Sequence, residues 1–208
     1  MIPRPMSPVE RRTALLHKVF VAAIAFLSAA SAAGCGEGGG GSGVTPPPGC
    51  PAAADPLGTD PAKGESFPDI ELTACDGTTT STAALRCESK VTLFAIGAGW
   101  CGPCNEETPD LEEAYQELLD EEIGVVQVMV QDVMANPATT LFCQKWVDQF
   151  DLTMPVYIDP VGETLGTTDS ALMPLNVIVG RDGKALHTVV GGKLGDVVTT
   201  LRAEAGAL

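Results

Sequence analysis

The stretch VTLFAIGAGWCGPC, residues 91–104, joins two patterns that together indicate a fold. Its first part, Val91–Ile96, is a compact apolar run, typical of a strand buried on both faces. After Cys101 the apolar residues recur at the spacing of a helix, and Pro109 within that helix predicts a kink. The sequence therefore predicts a buried strand followed by two cysteines, Cys101 and Cys104, at the start of a helix.

Two cysteines separated by two residues form either a tight disulfide or part of a metal site. At a helix start, the unpaired N–H groups and the helix dipole stabilise a thiolate, here that of Cys101. Cys104 lies one turn further into the helix, where it is shielded. We therefore expect a redox disulfide, with Cys101 as the attacking sulfur, Cys104 as the resolving sulfur and no cofactor.

Structural zinc is a competing interpretation of this motif, and it requires four ligands. The sequence has no second CxxC motif, and its two histidines are His17, in the N-terminal segment, and His187, in a predicted strand. We therefore expect no metal. A purely structural CxxC disulfide is the other alternative.

The motif WCGPC, residues 100–104, resembles the active-site motif of thioredoxin-fold proteins. Glu107 and Pro109 extend it to CxxCxxExP, which is similar to the TlpA/ResA branch of membrane-tethered thiol–disulfide oxidoreductases. The similarity runs from about Phe67 to the C-terminus. It implies an α/β, thioredoxin-like fold with a mixed central sheet flanked by helices and an N-terminal β-hairpin extension.

The resemblance also implies roles for single residues. Met173-Pro174 takes the place of the fold's cis-proline, so Pro174 is expected to face the disulfide while the backbone of Met173 pairs with substrate. Glu107 is expected to move protons as Cys104 attacks, and Trp100 to form part of the substrate-binding face. The plainer alternatives are a trans turn proline, a solvated carboxylate at the helix start and a tryptophan of the core.

Two departures from the family pattern concern the strand before the motif. Thioredoxins carry a buried acid six residues ahead of the first cysteine, where this chain has Ala95. The usual proton-handling carboxylate is therefore missing, which gives Glu107 more weight. The strand also ends in the small residues GAG, 97–99, which predicts looser packing near the site.

The predicted reaction is disulfide exchange, in which Cys101 attacks a substrate disulfide and Cys104 then releases the reduced substrate. Gly-Pro between the cysteines is the pair found in thioredoxin, whose potential is about −270 mV, and this favours a reductase. Such a reductase in an oxidising compartment needs a membrane electron donor. By resemblance, apocytochrome c and other exported thiol proteins are candidate substrates.

The remaining apolar patterns complete an α/β layered domain with a mixed sheet. Residues 67–74 and 78–83 are expected to be two paired strands. Further strands and helices follow the motif. The strands are predicted at Val125–Val130, Val156–Ile158, Leu175–Val179 and Lys184–Val190, and the helices at Thr139–Phe150 and around residues 194–201.

The first 65 residues do not resemble a folded domain. Residues 1–34 have a basic start and a short apolar run, the layout of a secretory signal peptide. The end of this segment, AAGC, resembles a bacterial lipobox, which implies lipidation of Cys35. Residues 35–65 are rich in Gly and Pro and are expected to be a disordered tether. The thioredoxin-like domain is then 66–208. Plain cleavage and an uncleaved anchor are the alternatives.

The net charge of the chain is −15, and without residues 1–34 it becomes −18, from 8 basic and 26 acidic residues. Such a surface repels phosphate backbones, so nucleic acid is not an expected partner. Seven cysteines are many for a cytosolic chain of this size and indicate an oxidising, extracytoplasmic compartment. The expected partners are therefore exported proteins and, through a lipid anchor, a membrane.

Four cysteines stand outside the motif and Cys35. Cys75 and Cys87 flank the second predicted strand, so we expect a structural disulfide between them. Cys143 lies in a predicted helix and is interpreted as a small buried apolar residue. Cys50 lies in the predicted tether, and the sequence does not indicate its partner.

Two rival functions share features of the sequence. A peroxiredoxin-type thiol peroxidase has the same fold but needs a Thr and a Pro at set spacing before its cysteine, which Cys101 lacks. An SCO-type copper-binding assembly factor uses a wider cysteine spacing and a histidine, for which His187 is the candidate. A scaffold without catalysis is a third alternative, and the intact motif speaks against it.

Overall fold

The apolar run before the motif forms an inner strand, β3 (Val91–Ala98), in the computed structural model, which describes residues 48–51, 66–167 and 172–208. All eight residues of β3 are buried. β3 pairs in parallel with one neighbouring strand and antiparallel with the other, so both of its edges are hydrogen-bonded. The end of β3 is therefore held firmly, and this end carries the motif.

The described residues form one mixed sheet of seven strands, in the order β2-β1-β5-β4-β3-β6-β7. The strands besides β3 are β1 (Glu71–Ala74), β2 (Thr79–Ser81), β4 (Ile123–Gln131), β5 (Val156–Ile158), β6 (Leu175–Gly180) and β7 (Ala185–Val190). The helices are α1 (Thr82–Cys87), α2 (Gly102–Leu118), α3 (Thr140–Phe150) and α4 (Val197–Gly206), with a 3-10 turn at Leu165–Thr167.

This architecture confirms the predicted α/β class with a mixed, helix-flanked sheet. β1 and β2 form the expected N-terminal hairpin, and β1 joins it to the main sheet by pairing with β5. The predicted β6–β7 hairpin is present as well. α2 starts within the motif and continues through Pro109.

Residues 78–83 were expected to be a strand, and this prediction is wrong in its second half. Strand β2 ends at Ser81, and α1 begins at the next residue. The Ser81 side chain caps α1 by accepting a hydrogen bond from the backbone N–H of Ala84. The serine cap and the helix-forming residues 83–86 (AALR) thus end the threonine-rich strand and begin a short helix.

The core lies on both faces of the sheet. One apolar cluster is formed with α2, α3 and α4, and it includes Leu93 and Ala95 of β3. The other is formed with α1 and residues 67–72, and it includes Phe94 and Ile96. Alternate residues of β3 therefore belong to different clusters, as expected for a strand covered on both sides.

The predicted Cys75–Cys87 disulfide is wrong. Cys75 is bonded to Cys143 of α3, and Cys87 is bonded to Cys50. Cys75 follows the end of β1 that pairs with β5, whereas α1 starts beside the other end of β1, where Ser81 pairs with Glu71. The hairpin therefore separates the two cysteines that the sequence placed together.

This pairing also corrects the predictions for the other two cysteines. Cys143 is fully buried, as expected, but it forms a disulfide instead of packing as a free thiol. Cys50 lies in the segment predicted to be a disordered tether, and it is joined covalently to α1. Part of the N-terminal segment is therefore attached to the domain.

Several predictions fall outside the described residues: the signal peptide 1–34, the lipidation site Cys35 and the rest of the tether. Within the described residues, none of the helices has the length and apolar character that crossing a membrane requires.

Candidate active site

Cys101 occupies the N-cap position of α2, immediately after the end of β3. Its backbone N–H donates to Ala98 O at 3.0 Å, which continues the strand into the helix start. Its sulfur accepts the backbone N–H of Cys104 at 3.2 Å. Asn105 Nδ2 donates to Cys101 O at 2.7 Å and to Gly99 O at 3.2 Å. These contacts hold the first cysteine where the N-terminal charge of α2 acts on its sulfur.

Cys104 lies in the first turn of α2 and is disulfide-bonded to Cys101, with the two Cα atoms 5.3 Å apart. It packs directly on β3: a Cβ atom added at Gly97 would lie 3.1 Å from the Cys104 sulfur. A Cβ atom at Gly99 would lie 2.8 Å from the Phe142 ring. The glycines therefore permit close packing around the site, and the expectation of looser packing is wrong.

Glu107 follows one turn after Cys104, and its side chain is buried, with 2% of the residue exposed. Its carboxylate accepts hydrogen bonds from the backbone N–H of Leu194 at 2.9 Å and from Asn176 Nδ2 at 3.0 and 3.1 Å. Burial raises the pKa of Glu107 above its ordinary value of 4.5, and these hydrogen bonds and the charge of Lys193 only partly offset the effect.

Asn176 is a site residue that was not predicted from the sequence. It lies in β6 directly opposite Ala95, the position where thioredoxins carry an acid. Asn176 donates to the carboxylate of Glu107 and holds it close to Ala95. The acidic group near this position is therefore supplied by α2, whereas in thioredoxins it is supplied by the strand. The signal was present, because Asn176 is a polar residue in the otherwise apolar strand LNVIVG.

A second buried polar chain supports the first turn of α2. Thr108 Oγ1 donates to Cys104 O at 2.8 Å, and Gln127 Nε2 donates to Thr108 Oγ1 at 2.9 Å. Trp146 Nε1 completes the chain by donating to Gln127 Oε1 at 2.8 Å. The turn that carries Cys104 is thus connected through β4 to α3. This chain was not predicted from the sequence either, although Gln127 interrupts an apolar strand.

Trp100 stands at the surface beside Cys101, with 49% of the residue exposed. Its Nε1 donates to Gln131 Oε1 at 2.8 Å, which fixes the orientation of the ring. The alternative of a core tryptophan is therefore wrong, and the exposed ring is available to a partner.

The peptide bond between Met173 and Pro174 is cis. Leu175, the next residue, pairs with Ile96 near the end of β3, so the cis-proline lies at the same end of the sheet as the motif. Met173 is half-buried against the apolar cluster that contains Cys101 and Cys104. The structure thus brings Pro174 and the cysteine pair to the same end of the sheet.

The sequence profile of the redoxin family matches residues 62–203 of the chain. The chain belongs to the redoxin family. Its curated relatives include a thiol–disulfide oxidoreductase ResA of Bacillus cereus, which is 23% identical over 128 residues, covering 62% of this chain and 69% of that protein. ResA of Oceanobacillus iheyensis is 27% identical over 132 residues, covering 62% and 65%.

Solved structures agree with this assignment of the redoxin domain. A Chlorobium tepidum protein, assigned as the thiol:disulfide interchange protein DsbE, has a TM-score of 0.57 and 26% identity over 70% of this chain and 96% of its own. The exposed lipoprotein thioredoxin Etrx1 of Streptococcus pneumoniae has a TM-score of 0.54 and 26% identity over 65% and 98%. Together with the cysteine pair, these similarities identify a thioredoxin-fold thiol–disulfide oxidoreductase of the ResA and DsbE type.

The enzyme class predicted from the motif is thereby confirmed, and the similarities favour it over the peroxidase and copper-binding alternatives. His187, the candidate copper ligand, is partly exposed on β7, with Nδ1 3.9 Å from Glu204 Oε1. Among residues 48–51, 66–167 and 172–208, no three His, Cys, Asp or Glu side chains are grouped to hold a metal ion.

The close packing of Cys104 on Gly97 predicts the effect of one methyl group. Gly97→Ala should displace the Cys104 sulfur by a few tenths of an ångström and slow disulfide exchange by roughly tenfold, measured as reduction of a protein disulfide. Gly206→Ala is the control, because an added Cβ there meets no described heavy atom within 4 Å. Exchange at the wild-type rate in Gly97→Ala would show that this packing does not position the sulfur.

Proposed function

We propose that this redoxin is an exported, membrane-tethered reductase of protein disulfides that works through the Cys101–Cys104 dithiol. The observation that carries the proposal is the cysteine pair in the first turn of α2 with the buried carboxylate of Glu107 one turn behind it. A helix start supplies a stabilised thiolate, and a carboxylate whose pKa is raised by burial is a better proton acceptor than an exposed one.

Cys101 is the nucleophile of the first step. In the reduced enzyme, the N-terminal charge of α2 and the backbone N–H of Cys104 favour its thiolate. The thiolate attacks one sulfur of a substrate disulfide, forms a mixed disulfide and expels the other substrate sulfur as a thiolate.

Cys104 resolves this intermediate. Its thiol must lose a proton before the sulfur can attack Cys101 and release the second substrate thiolate. Glu107 lies three residues further along α2, on the same side of the helix, and acts as the acceptor of that proton. Asn176 and the backbone N–H of Leu194 hold the carboxylate in place.

Substrate binds at the end of the sheet where β3 leads into the motif. The exposed ring of Trp100 provides an apolar contact on one side of Cys101. The segment before the cis-proline lies on the other side, where the backbone of Met173 pairs with an extended stretch of substrate and Pro174 faces the disulfide. Such backbone pairing depends little on the substrate's sequence, which suits a reductase of several exported proteins, apocytochrome c among them.

Location and electron flow complete the proposal. Residues 1–34 direct export, Cys35 carries a lipid, and residues 35–65 form the tether, within which Cys50 is bonded to Cys87 of α1. The similarity to an exposed lipoprotein thioredoxin supports this arrangement. The Gly-Pro pair between the cysteines favours the reducing direction, so a membrane electron donor must restore the dithiol.

A trapping experiment tests the proposed roles of the two cysteines. Cys104→Ser should accumulate mixed disulfides between Cys101 and exported proteins, because the resolving thiol is absent. These adducts are measured by non-reducing electrophoresis and mass spectrometry of the protein expressed in its host. Cys101→Ser is the matched control and should accumulate none. Equal trapping by both variants would contradict the assignment of Cys101 as the nucleophile.

The proposed role of Glu107 has a signature in the dependence on pH. At pH 7, Glu107→Gln should slow resolution of the mixed disulfide by roughly a hundredfold. The defect should shrink as the pH approaches about 8.5, where an ordinary cysteine thiol ionises without help. Stopped-flow measurement from pH 5 to 9 checks this, and the exposed neighbour Glu106→Gln is the control. A defect that stays constant with pH would contradict a role in proton transfer.

The same variant tests the direction of the pKa shift. Because the pKa of Glu107 is raised in the folded protein, the folded state loses stability relative to the unfolded chain as the pH rises above about 4.5. Glu107→Gln removes that loss. It should therefore increase the urea midpoint relative to wild type more at pH 7 than at pH 4, and the reverse order would contradict the raised pKa.

A further inference from the structure

The disulfide between Cys50 and Cys87 lies far from the catalytic pair. Cys87 is the last residue of α1, which leads into the start of β3 at Val91, whereas Cys101 follows the end of β3. A strand of this length spans roughly 25 Å. The two disulfides therefore occupy opposite ends of the sheet, and the catalytic pair of a molecule cannot reach Cys50–Cys87 of the same molecule.

A buried guanidinium lies against the Cys50–Cys87 disulfide. The side chain of Arg86 is 0% exposed, with Nη1 3.3 Å from the sulfur of Cys50 and 3.9 Å from that of Cys87. The other close groups are oxygens: Nη1 donates to Arg181 O at 2.5 Å, and Nη2 donates to Pro51 O at 2.7 Å.

Arg86 also forms an ion pair, with Nη2 3.3 Å from Asp69 Oδ1. Asp69 is partly exposed, so its carboxylate offsets the charge of the guanidinium only in part. The carbonyl oxygen of Ala83 lies 3.8 Å from the Cys50 sulfur, further away than the guanidinium. A full positive charge at the shorter distance outweighs this dipole, so the surroundings of Cys50 favour a thiolate.

Cys75–Cys143 has the opposite surroundings. The sulfurs of Cys75 and Cys143 lie 3.6 and 3.7 Å from the carbonyl oxygen of Val156, and Cys143 is fully buried. A carbonyl oxygen repels a developing thiolate. Cys50 and Cys87 are both half-buried, whereas in the other bridge only Cys75 is, so both sulfurs of Cys50–Cys87 are open to an approaching thiol.

We propose that Cys50–Cys87 is a reducible disulfide latch, activated by Arg86, that fastens the N-terminal segment to the domain. The leaving sulfur in thiol–disulfide exchange departs faster when its thiolate is stabilised. Arg86 lies nearer to Cys50, so an external thiolate attacks Cys87 and Cys50 leaves. The proposal does not depend on the proposed role in export.

The exchange balances with a dithiol as reductant. The attacking thiolate forms a bond to the Cys87 sulfur, and the electron pair of the broken Cys50–Cys87 bond goes to Cys50, which pairs with Arg86 as a thiolate. The second thiol of the reductant, losing its proton to water, attacks the sulfur already bonded to Cys87 and releases Cys87 as a thiolate. The reductant becomes a disulfide, and Cys50 is no longer joined to α1.

Partial reduction of the full chain tests the order of cleavage. The experiment uses the double variant Cys101→Ser/Cys104→Ser, because its catalytic pair cannot reduce disulfides of other molecules. The protein is treated with dithiothreitol for increasing times, alkylated and mapped by mass spectrometry. Cys50 and Cys87 should become free at least tenfold faster than Cys75 and Cys143. Equal rates, or faster opening of Cys75–Cys143, would overturn the proposal.

A monothiol identifies the leaving sulfur in the same protein. With glutathione, the early mixed disulfide should lie on Cys87, with Cys50 free to be alkylated. Glutathione bound mainly to Cys50 would overturn the assigned direction of attack. This measurement requires no change in the surroundings of the latch.

Two substitutions with opposite expected effects test the charge. Arg86→Gln should slow cleavage about tenfold, which corresponds to about 1.4 kcal/mol of lost stabilisation. Asp69→Asn should accelerate it several-fold, because the carboxylate that partly offsets the charge of the guanidinium is then removed. The rate for Cys75–Cys143 and the circular dichroism spectrum report on folding. Slower cleavage in Asp69→Asn, or an unchanged rate in a folded Arg86→Gln variant, would overturn the role of Arg86. If Arg86→Gln does not fold, the Asp69→Asn rate, the order of cleavage and the position of the glutathione adduct decide.

Discussion

The junction between β3 and α2 is the constraint on which the site depends. β3 is hydrogen-bonded along both edges and buried on both faces, so it cannot shift without disrupting the sheet. The backbone N–H of Cys101 bonds to Ala98 O at its end, and the helix begins at once. Cys101 is therefore held at a fixed position in the electric field of the helix N-terminus. The cis-proline Pro174 lies at the same end of the sheet, because Leu175, the next residue, pairs with Ile96.

The buried acid of this redoxin reaches the site from a different direction than in thioredoxins. The position in β3 where thioredoxins have an acid is the uncharged Ala95, and the buried carboxylate belongs instead to Glu107 of α2. A buried carboxylate is unfavourable unless hydrogen bonds compensate it, which is the part played by Asn176 and the N–H of Leu194. The compensation is incomplete, so the pKa of Glu107 is raised above its ordinary value.

Local patterns in the sequence were sufficient for the parts of the fold that depend on neighbouring residues. The buried run 91–96, the helix after Cys101 and the β6–β7 hairpin were all predicted, because periodicity and turn residues are local signals. Glu107 and Pro174 were expected to belong to the site because of the resemblance to thioredoxin-fold proteins. The helix α1 was not predicted, because the strand propensity of residues 78–82 was extended past the Ser81 cap into the helix-forming residues 83–86.

What the sequence could not predict depends on contacts between distant segments. Asn176 meets Glu107 only because β6 lies beside β3, and 69 positions separate the two residues. The disulfides also join distant segments: Cys75 meets Cys143 across 68 residues, and Cys50 meets Cys87 across 37. Counting cysteines limits the possible pairings, but only the folded arrangement selects among them.

The reduction potential of the Cys101–Cys104 pair tests the central claim most directly, namely that this site is built to donate electrons. It can be measured by equilibration with a defined dithiol couple, with alkylation and mass spectrometry reporting this pair separately from the other two disulfides. We expect a potential near that of thioredoxin, about −270 mV. A value above about −150 mV, in the range of a strong oxidant, would contradict it.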